Sequence, residues 1–367
     1  MINIAQPSLG QEEIQAVEKV LLSGMLAQGK VVKSFESAFA KQHGCKFGVA
    51  TSSGTTALHT ALLALNLGRG DEVITTPFSF IASSSSILHV GAKPVFVDIK
   101  EDDFCLDPAL IESKITKSTK AILVVHLYGQ MCNMDKILFI AKKHNLLVIE
   151  DACQAHGATY MGKKAGSIGD IGCFSFYPTK NMTTGEGGII ITNSKRIAYR
   201  ARLLINHGQE KRYFSEIIGY NYRMTNIAAA IGNVQLKKLN SANEKRRKNA
   251  SYLSRKLSNV IGIIVPKELP EREHVYNQYT IRVTRHYPLD REELIKKMTK
   301  SGLGYGIYYP LLIPNQKPYK KIGYKGKYPV SERVSAEVLS IPVHPALSEN
   351  DLDKIVDVLK NSHRQKG

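Results

Sequence analysis

The sequence predicts an α/β fold, a mainly parallel sheet with helices on both faces, followed by a smaller α+β domain. Three observations carry this. Between residues 47 and 193, short apolar runs of strand length alternate with segments of helical spacing, the pattern of crossover units. Behind residue 245 the pattern changes to short strands, helices and a Tyr/Pro-rich loop. A chain of 367 residues is also long enough for two cores. The expected division is 1–245 for the large domain and 246–367 for the small C-terminal domain.

Residues 11–23 carry apolar side chains at helical spacing and stop at Gly24, and Ser34–Lys41 continues as a second short helix. FGVAT (47–51) reads as a strand, and 54–66 as a helix opening at a Gly-Thr turn. Strands follow at 72–76, 94–98, 121–126 and 146–151, with helices around 79–89, 107–113 and 134–144 between and behind them. Further strands are expected at 172–176 and 187–193, and helices over 194–204 and 226–258. The remainder reads as a strand at 279–283, a helix at 290–301, a loop over 305–329 and a closing helix over 348–361.

Composition narrows the function classes. The chain is 43% hydrophobic and 22% charged, which is ordinary globular composition. No run approaches the roughly 18 apolar residues of a membrane helix. The N-terminus lacks a basic segment followed by an apolar one, so a cytoplasmic protein is expected, with no membrane partner. Cys45, Cys105, Cys132, Cys153 and Cys173 are scattered without C-x-x-C spacing, which argues against a disulfide framework or a metal site. The formal net charge of +18 raises the question of nucleic acid. Its strongest cluster, Lys245–Lys248, sits in a helical stretch where a solvated face is the default, and no nucleic-acid motif accompanies it. No nucleic-acid partner is expected; a positive field would also suit a substrate carrying a diphosphate.

The chemistry-bearing residues gather at strand ends. LLVIE runs into Asp151 and then Gln154, at the carboxyl end where α/β sheets place ligands. Lys180 lies in FSFYPTKNMTTGEGG, between an apolar strand and a turn with Gly185, Gly187 and Gly188 that lets backbone approach a ligand closely. A surface lysine would not need that setting. A strand-end Asp followed by a Lys on a Gly-rich turn is what pyridoxal 5'-phosphate (PLP) chemistry needs. The amine forms a Schiff base to the cofactor aldehyde, and the carboxylate keeps the pyridine nitrogen protonated. The turn Ser52–Thr56, with Gly54 and Thr55, precedes a helix and suits a phosphate. Ser175 could donate to the same phosphate, and Phe80 (with Phe78 as the alternative) could stack on the ring.

On these residues, and on the runs GQEEIQAVEKVLLSGMLAQGKVVKSFE, SSGTTALHTALLAL, VIEDACQAHGATYMGKKAGSIGDIGCFSFYPTKN, GEGGIIITN, GYNYRMTNIAAAIG and YYP, the chain resembles the DegT/DnrJ/EryC1/StrS sugar aminotransferases. The resemblance implies the PLP-dependent transferase fold type I (aspartate aminotransferase-like). It implies Gly54, Thr55 and Ser175 at the cofactor phosphate, Lys180 as the covalent lysine, and Tyr308 in a loop that contacts the sugar nucleotide. Asn221 would reach the neighbour's phosphate in a homodimer with shared active sites. A nucleotide-linked keto-sugar acceptor and L-glutamate as donor are implied in the same way, and LLSGMLAQGKVVKSFE is more similar to relatives that aminate sugar C-4 than to those that aminate C-3, which stays the alternative. Some relatives carry histidine in place of the lysine and are dehydratases; Lys180 argues against that variant. The chain departs from the family in reading GTTAL for G-T-A-A-L, and LLIPNQKPY where many have Pro-Leu-His.

Overall fold

The computed structural model describes residues 1–361. Two helices, α1 (Gln11–Ser23) and α2 (Lys30–Gln42), lead into β1 (Phe47–Thr51) and α3 (Gly54–Ala64). Then come β2 (Glu72–Thr75), α4 (Ala82–His89), β3 (Lys93–Phe96), β4 (Thr119–Val125), α5 (Met134–Lys143) and β5 (Leu147–Asp151). The short β6 (Thr159–Tyr160) and β7 (Lys163–Lys164) precede β8 (Ile171–Ser175), β9 (Gly188–Thr192) and α6 (Lys195–Ile205). A hairpin of β10 (Gln209–Lys211) and β11 (Phe214–Ser215) precedes the long α7 (Asn226–Leu257). The remainder is β12 (Ile263–Ile264), β13 (Arg272–Glu273), β14 (Tyr279–Val283), α8 (Arg291–Lys300), α9 (Lys317–Lys321), α10 (Pro329–Glu337), β15 (Val338–Ile341) and α11 (Glu349–Lys360).

Among the described residues the large sheet has seven strands in the order β1-β9-β8-β5-β4-β2-β3, with only β9 running against the others. Alternate residues serve opposite faces, as the pleat requires. Ile122, Val124, Val148, Ile189 and Ile191 pack with Val32, Phe35, Ile137 and Leu236 on one face. Ala121, Leu123, Ile149, Cys173 and Ile190 pack with Leu58, Leu62, Ile87, Ile197 and Ala201 on the other. The register aligns Asp151 with Val125 on one side and Cys173 on the other, so the ends of β4, β5 and β8 form one rim.

The second core joins the antiparallel sheet β12-β14-β15 to α8 and α11, through Ile281, Leu294, Leu339 and Ile355. Helix α7 serves both cores: Ala229, Leu236 and Leu239 pack under the large sheet, while Ala250, Leu253 and Leu257 belong to the second core. The boundary expected near 245 lies inside this helix, and Ile2 at the other end of the chain packs with the second core.

Two expectations are corrected. Residues 107–113 form no α-helix but two short 3-10 turns, Pro108–Leu110 and Glu112–Lys114. Asp107 caps the first turn by accepting from Ala109 N–H, and the stretch is too short to repay helix nucleation. The loop over 305–329 contains the short α9, and α10 begins at its last residue, with Pro329 in the first turn, where its missing N–H costs nothing.

Candidate active site

The rim is built from segments that leave the sheet together. After β1 the chain turns through Ser52–Ser53 into α3. Ser53 Oγ accepts from Thr56 N–H at 3.2 Å and Ser53 N–H donates to Thr56 Oγ1 at 2.9 Å. This capping box occupies one first-turn donor and leaves the Gly54 and Thr55 N–H groups without a partner among the described residues, at the positive end of the helix. A Cβ at Gly54 would lie 2.6 Å from Ser175 Cβ and 3.2 Å from Cys153 Sγ, so glycine alone lets the turn close against Ser175. A Cβ at Gly188 would lie 2.3 Å from the Ser53 carbonyl oxygen, which explains why the strand opposite the turn also begins with glycine.

Asp151 ends β5, buried, with both carboxylate oxygens held. Ser83 Oγ donates to Oδ2 at 2.7 Å and Cys153 N–H donates to Oδ1 at 3.2 Å, while Ser83 Oγ also lies 2.8 Å from Ser79 Oγ. Glu150, fully buried beside it, faces the other way. It accepts from the N–H groups of Gly166, Ile168 and Gly169 and shares a 2.9 Å bond with His126 Nε2. The His126 N–H donates to the Asp151 carbonyl, so one residue braces both members of the acidic pair.

Gln154 is fixed at both ends: its Oε1 accepts from Tyr128 N–H at 2.8 Å and its Nε2 donates to Tyr309 Oη at 3.0 Å. Phe80 is 56% exposed, with its ring 6.3 Å from that of Tyr309. Phe78 is wholly buried against the same tyrosine, so of the two phenylalanines only Phe80 offers a free face.

Lys180 is half-buried; its backbone N–H donates to the Tyr177 carbonyl at 2.9 Å, while its Nζ makes no hydrogen bond or ion pair among the described residues. Desolvation lowers its pKa below the ordinary lysine value, although Cys153 and Asp151 nearby pull the other way. Its loop is locked from behind by three asparagines. Asn181 Nδ2 donates to Asn243 Oδ1 at 2.7 Å and to the Val275 carbonyl, and Asn277 Nδ2 donates to Asn181 Oδ1 and the Thr179 carbonyl. Thr183 Oγ1 ties the far side to the Phe176 carbonyl at 2.8 Å.

The structure therefore brings Gly54, Thr55, Asp151, Gln154, Ser175 and Lys180 to one rim. Asn221 does not join them within the chain; it is exposed beside the turn, bridged by backbone to Asn206, while Tyr222 C=O accepts from Ser52 N–H. Tyr308 meets the site through its carbonyl, which accepts from Tyr128 Oη; the ring nearer Gln154 is that of Tyr309. Sequence reasoning missed Tyr309, Ser83 and the asparagine trio. Two adjacent tyrosines give no periodic clue to which faces inward. The run ASSSS one turn after Phe80 was the only trace of Ser83.

The donor set fits pyridoxal phosphate. Free N–H groups at a helix N-terminus meet a phosphate, an unpartnered amine meets an aldehyde, and a fixed carboxylate meets a pyridine nitrogen. A family model described as the DegT/DnrJ/EryC1/StrS aminotransferase family matches residues 7–360. The chain is 41% identical over 360 residues to a pleiotropic regulatory protein of Geobacillus stearothermophilus, covering 97% of this chain and 95% of that one. It is 40% identical over 363 residues to a GDP-perosamine synthase of Caulobacter vibrioides, covering 98% and 97%. It is 39% identical over 351 residues to a dTDP-3-amino-3,6-dideoxy-alpha-D-galactopyranose transaminase of Aneurinibacillus thermoaerophilus, covering 95% of each. Among solved structures, an aminotransferase from Psychrobacter cryohalolentis superposes with a TM-score of 0.92 at 34% identity, covering 98% of each chain. Spr1654 of Streptococcus pneumoniae, solved in its PLP form, superposes with a TM-score of 0.94 at 29% identity, covering 99% of each.

Proposed function

We propose that this chain, which belongs to the DegT/DnrJ/EryC1/StrS aminotransferase family, transfers an amino group from L-glutamate to C-4 of a nucleotide-linked keto-sugar. That it is a PLP-dependent aminotransferase of nucleotide sugars follows from the family and its relatives. The donor and the carbon aminated are our own reading. The observation that supports the transamination chemistry is the desolvated Lys180 amine beside a fixed Asp151. The resemblance of residues 21–36 to relatives that aminate C-4 supports the position.

Gly54, Thr55 and Ser175 would hold the cofactor phosphate, Phe80 and Gln154 would bound its ring, and Asp151 would meet its nitrogen. When bound, the cofactor supplies a carbonyl for amine exchange and a ring that accepts an electron pair. Asp151, clamped by Ser83 and the Cys153 N–H, holds a proton on that nitrogen. Desolvation enlarges the neutral fraction of Lys180, whose Nζ takes the proton from the donor α-carbon and, in the second half-reaction, delivers one to the sugar carbon that receives nitrogen. The asparagine lock behind the loop keeps Nζ at that position.

A homodimer completes the reading. Asn221 is exposed, and Tyr213, Phe214 and Ile218 in and beside the hairpin, with Leu22 and Met25 at the end of α1, expose apolar surface suited to a second copy. We place the protein in the cytoplasm; among the described residues no helix is long and apolar enough to cross a membrane.

The test is to incubate the protein with PLP, L-glutamate and a panel of nucleotide-linked 4-keto- and 3-keto-sugars, and to assay 2-oxoglutarate and amino sugar together. Amination confined to 4-keto-sugars supports the proposal. Amination of 3-keto-sugars alone overturns the position, and release of no 2-oxoglutarate overturns the donor.

A further inference from the structure

Across 294–331 the chain carries eight lysines and no aspartate or glutamate, so its net charge of +18 is not spread evenly. Five of these lysines, Lys317, Lys320, Lys321, Lys325 and Lys327, lie on α9 and the stretch behind it. All five are exposed, and none has an ion pair among the described residues. The basic run Lys245–Lys248 on α7 differs, since Glu244 adjoins it and Arg247 is paired with Glu273.

The lysines stand on a packed base. Tyr319 is buried, and its Oη shares a hydrogen bond with Ser84 Oγ on α4. The rings of Tyr319, Tyr324 and Tyr328 lie 6.0, 5.6 and 6.3 Å from that of Phe96 at the end of β3. Lys317, Lys320 and Lys321 are spaced i, i+3, i+4 and share one side of α9. Behind them Gly323, at a φ of 89°, donates its N–H to the Lys320 carbonyl at 3.1 Å. That turn leaves Ile322 at the bend among the lysines, 58% exposed.

Three features select the partner. The segment's tyrosines face Phe96 and none is exposed, so no ring is offered for a nucleic-acid base to stack on. The cations are all lysines, point charges that suit a diffuse anionic layer and lack the planar fork that grips one phosphate bidentately. Ile322 gains by leaving water at a bilayer interface, whereas a sugar–phosphate backbone offers it nothing apolar.

We propose that residues 317–327 form a docking surface for an anionic lipid headgroup layer, with the five lysines against its phosphates and Ile322 at the acyl boundary. Such a contact needs no spanning helix, and it departs from the expectation of no membrane partner. Five lysines and one apolar side chain make it reversible rather than a permanent anchor. It is independent of the transaminase reading and involves no chemical step.

Co-sedimentation of the full-length protein, carrying PLP, with vesicles is the test. One set is phosphatidylcholine alone and the other contains about 30% phosphatidylglycerol. Wild-type protein should bind only the second set and release it as salt rises from about 0.05 M to about 0.5 M. The triple variant Lys320→Gln/Lys321→Gln/Lys325→Gln should bind about 100-fold more weakly. Ile322→Ser, which alters no charge, should weaken binding about fivefold. Every changed side chain is exposed, so an unaltered Tm in each variant shows that the fold is intact.

Equal binding to both vesicle sets, no binding to either, or undiminished binding by the triple variant overturns the proposal. An unchanged affinity of Ile322→Ser overturns the apolar contact. If a DNA duplex binds as tightly as the vesicles at equal phosphate concentration, is lost in the triple variant and ignores Ile322→Ser, the lysines serve nucleic acid and the proposal fails. Slower sugar amination by the triple variant with vesicle binding intact would assign the lysines to the substrate's phosphates and overturn it equally.

Discussion

Asp151 and Lys180 acquire different characters from different surroundings. The carboxylate is buried but hydrogen-bonded on both oxygens, while the amine is desolvated and unbonded. Ser83 is the residue that separates this Asp from any other strand-end acid. Ser83→Ala should free Oδ2 and cost about 1.5 kcal/mol of the interaction, lowering kcat about tenfold while the cofactor still binds. Unchanged kcat, measured at saturating substrates, would remove Ser83 from the site. At this scale the sequence was legible wherever chemistry dictates residue type. That Asp151, Lys180 and the Gly54 turn meet at one rim was legible because each sits at a strand end or turn marked by residue type. Tyr309, Ser83 and Asn243 were not, because their roles come from contacts across 155, 68 and 62 residues of chain that no local pattern encodes.

At the scale of elements, glycine positions and the asparagine lock decide whether the rim can form. Gly188→Ala would drive a methyl into the Ser53 carbonyl at the start of the turn into α3. Overpacking of this kind costs roughly 2 kcal/mol, and it should appear as a lower Tm together with weaker PLP binding. A variant with wild-type Tm and PLP affinity would show that the turn is looser than described. Asn243→Ala leaves the Asn181 amide short of a buried partner and should destabilise by about 1–3 kcal/mol while slowing catalysis, since the lysine loop loses its brace. Urea titration and steady-state kinetics on one preparation check both effects. The strands were legible because alternation along a buried sheet is a local signal. The segment 107–113 was not, because its apolar residues mimic a helix while Asp107 and Pro108 set up a 3-10 turn instead.

For the molecule as a whole, buried imidazoles tie stability to pH. Burial lowers the pKa of His43, His59, His156, His274 and His344, taking His43 down to about 4 and His274 to about 3. Below 6.5 and down to about 4, the unfolded chain therefore binds protons that the folded chain refuses. The contribution of these imidazoles is full above pH 6.5 and is lost as the pH falls through that window. Asp103, raised to about 6 by burial, and Glu36, also raised by burial, oppose the trend over part of the window but face five histidines. Tm should fall steadily as the pH is lowered from 6.5 toward 4; a flat or rising Tm would contradict the account. The net charge of +18 suggested nucleic acid as a partner to be weighed; the family match and the rim geometry place the chain among nucleotide-sugar aminotransferases, whose substrates carry phosphates.

The central claim is that Lys180 is the amine that anchors the cofactor and moves the proton, and one spectroscopic comparison tests it most directly. Purified wild-type protein and Lys180→Ala are mixed with PLP, and their visible spectra are followed before and after L-glutamate. The account predicts a long-wavelength band in the wild type that disappears on adding L-glutamate. In Lys180→Ala that band should be absent, with turnover lower by about a thousand-fold or more. A band of wild-type position and glutamate response in Lys180→Ala would assign the chemistry to another amine and contradict the account.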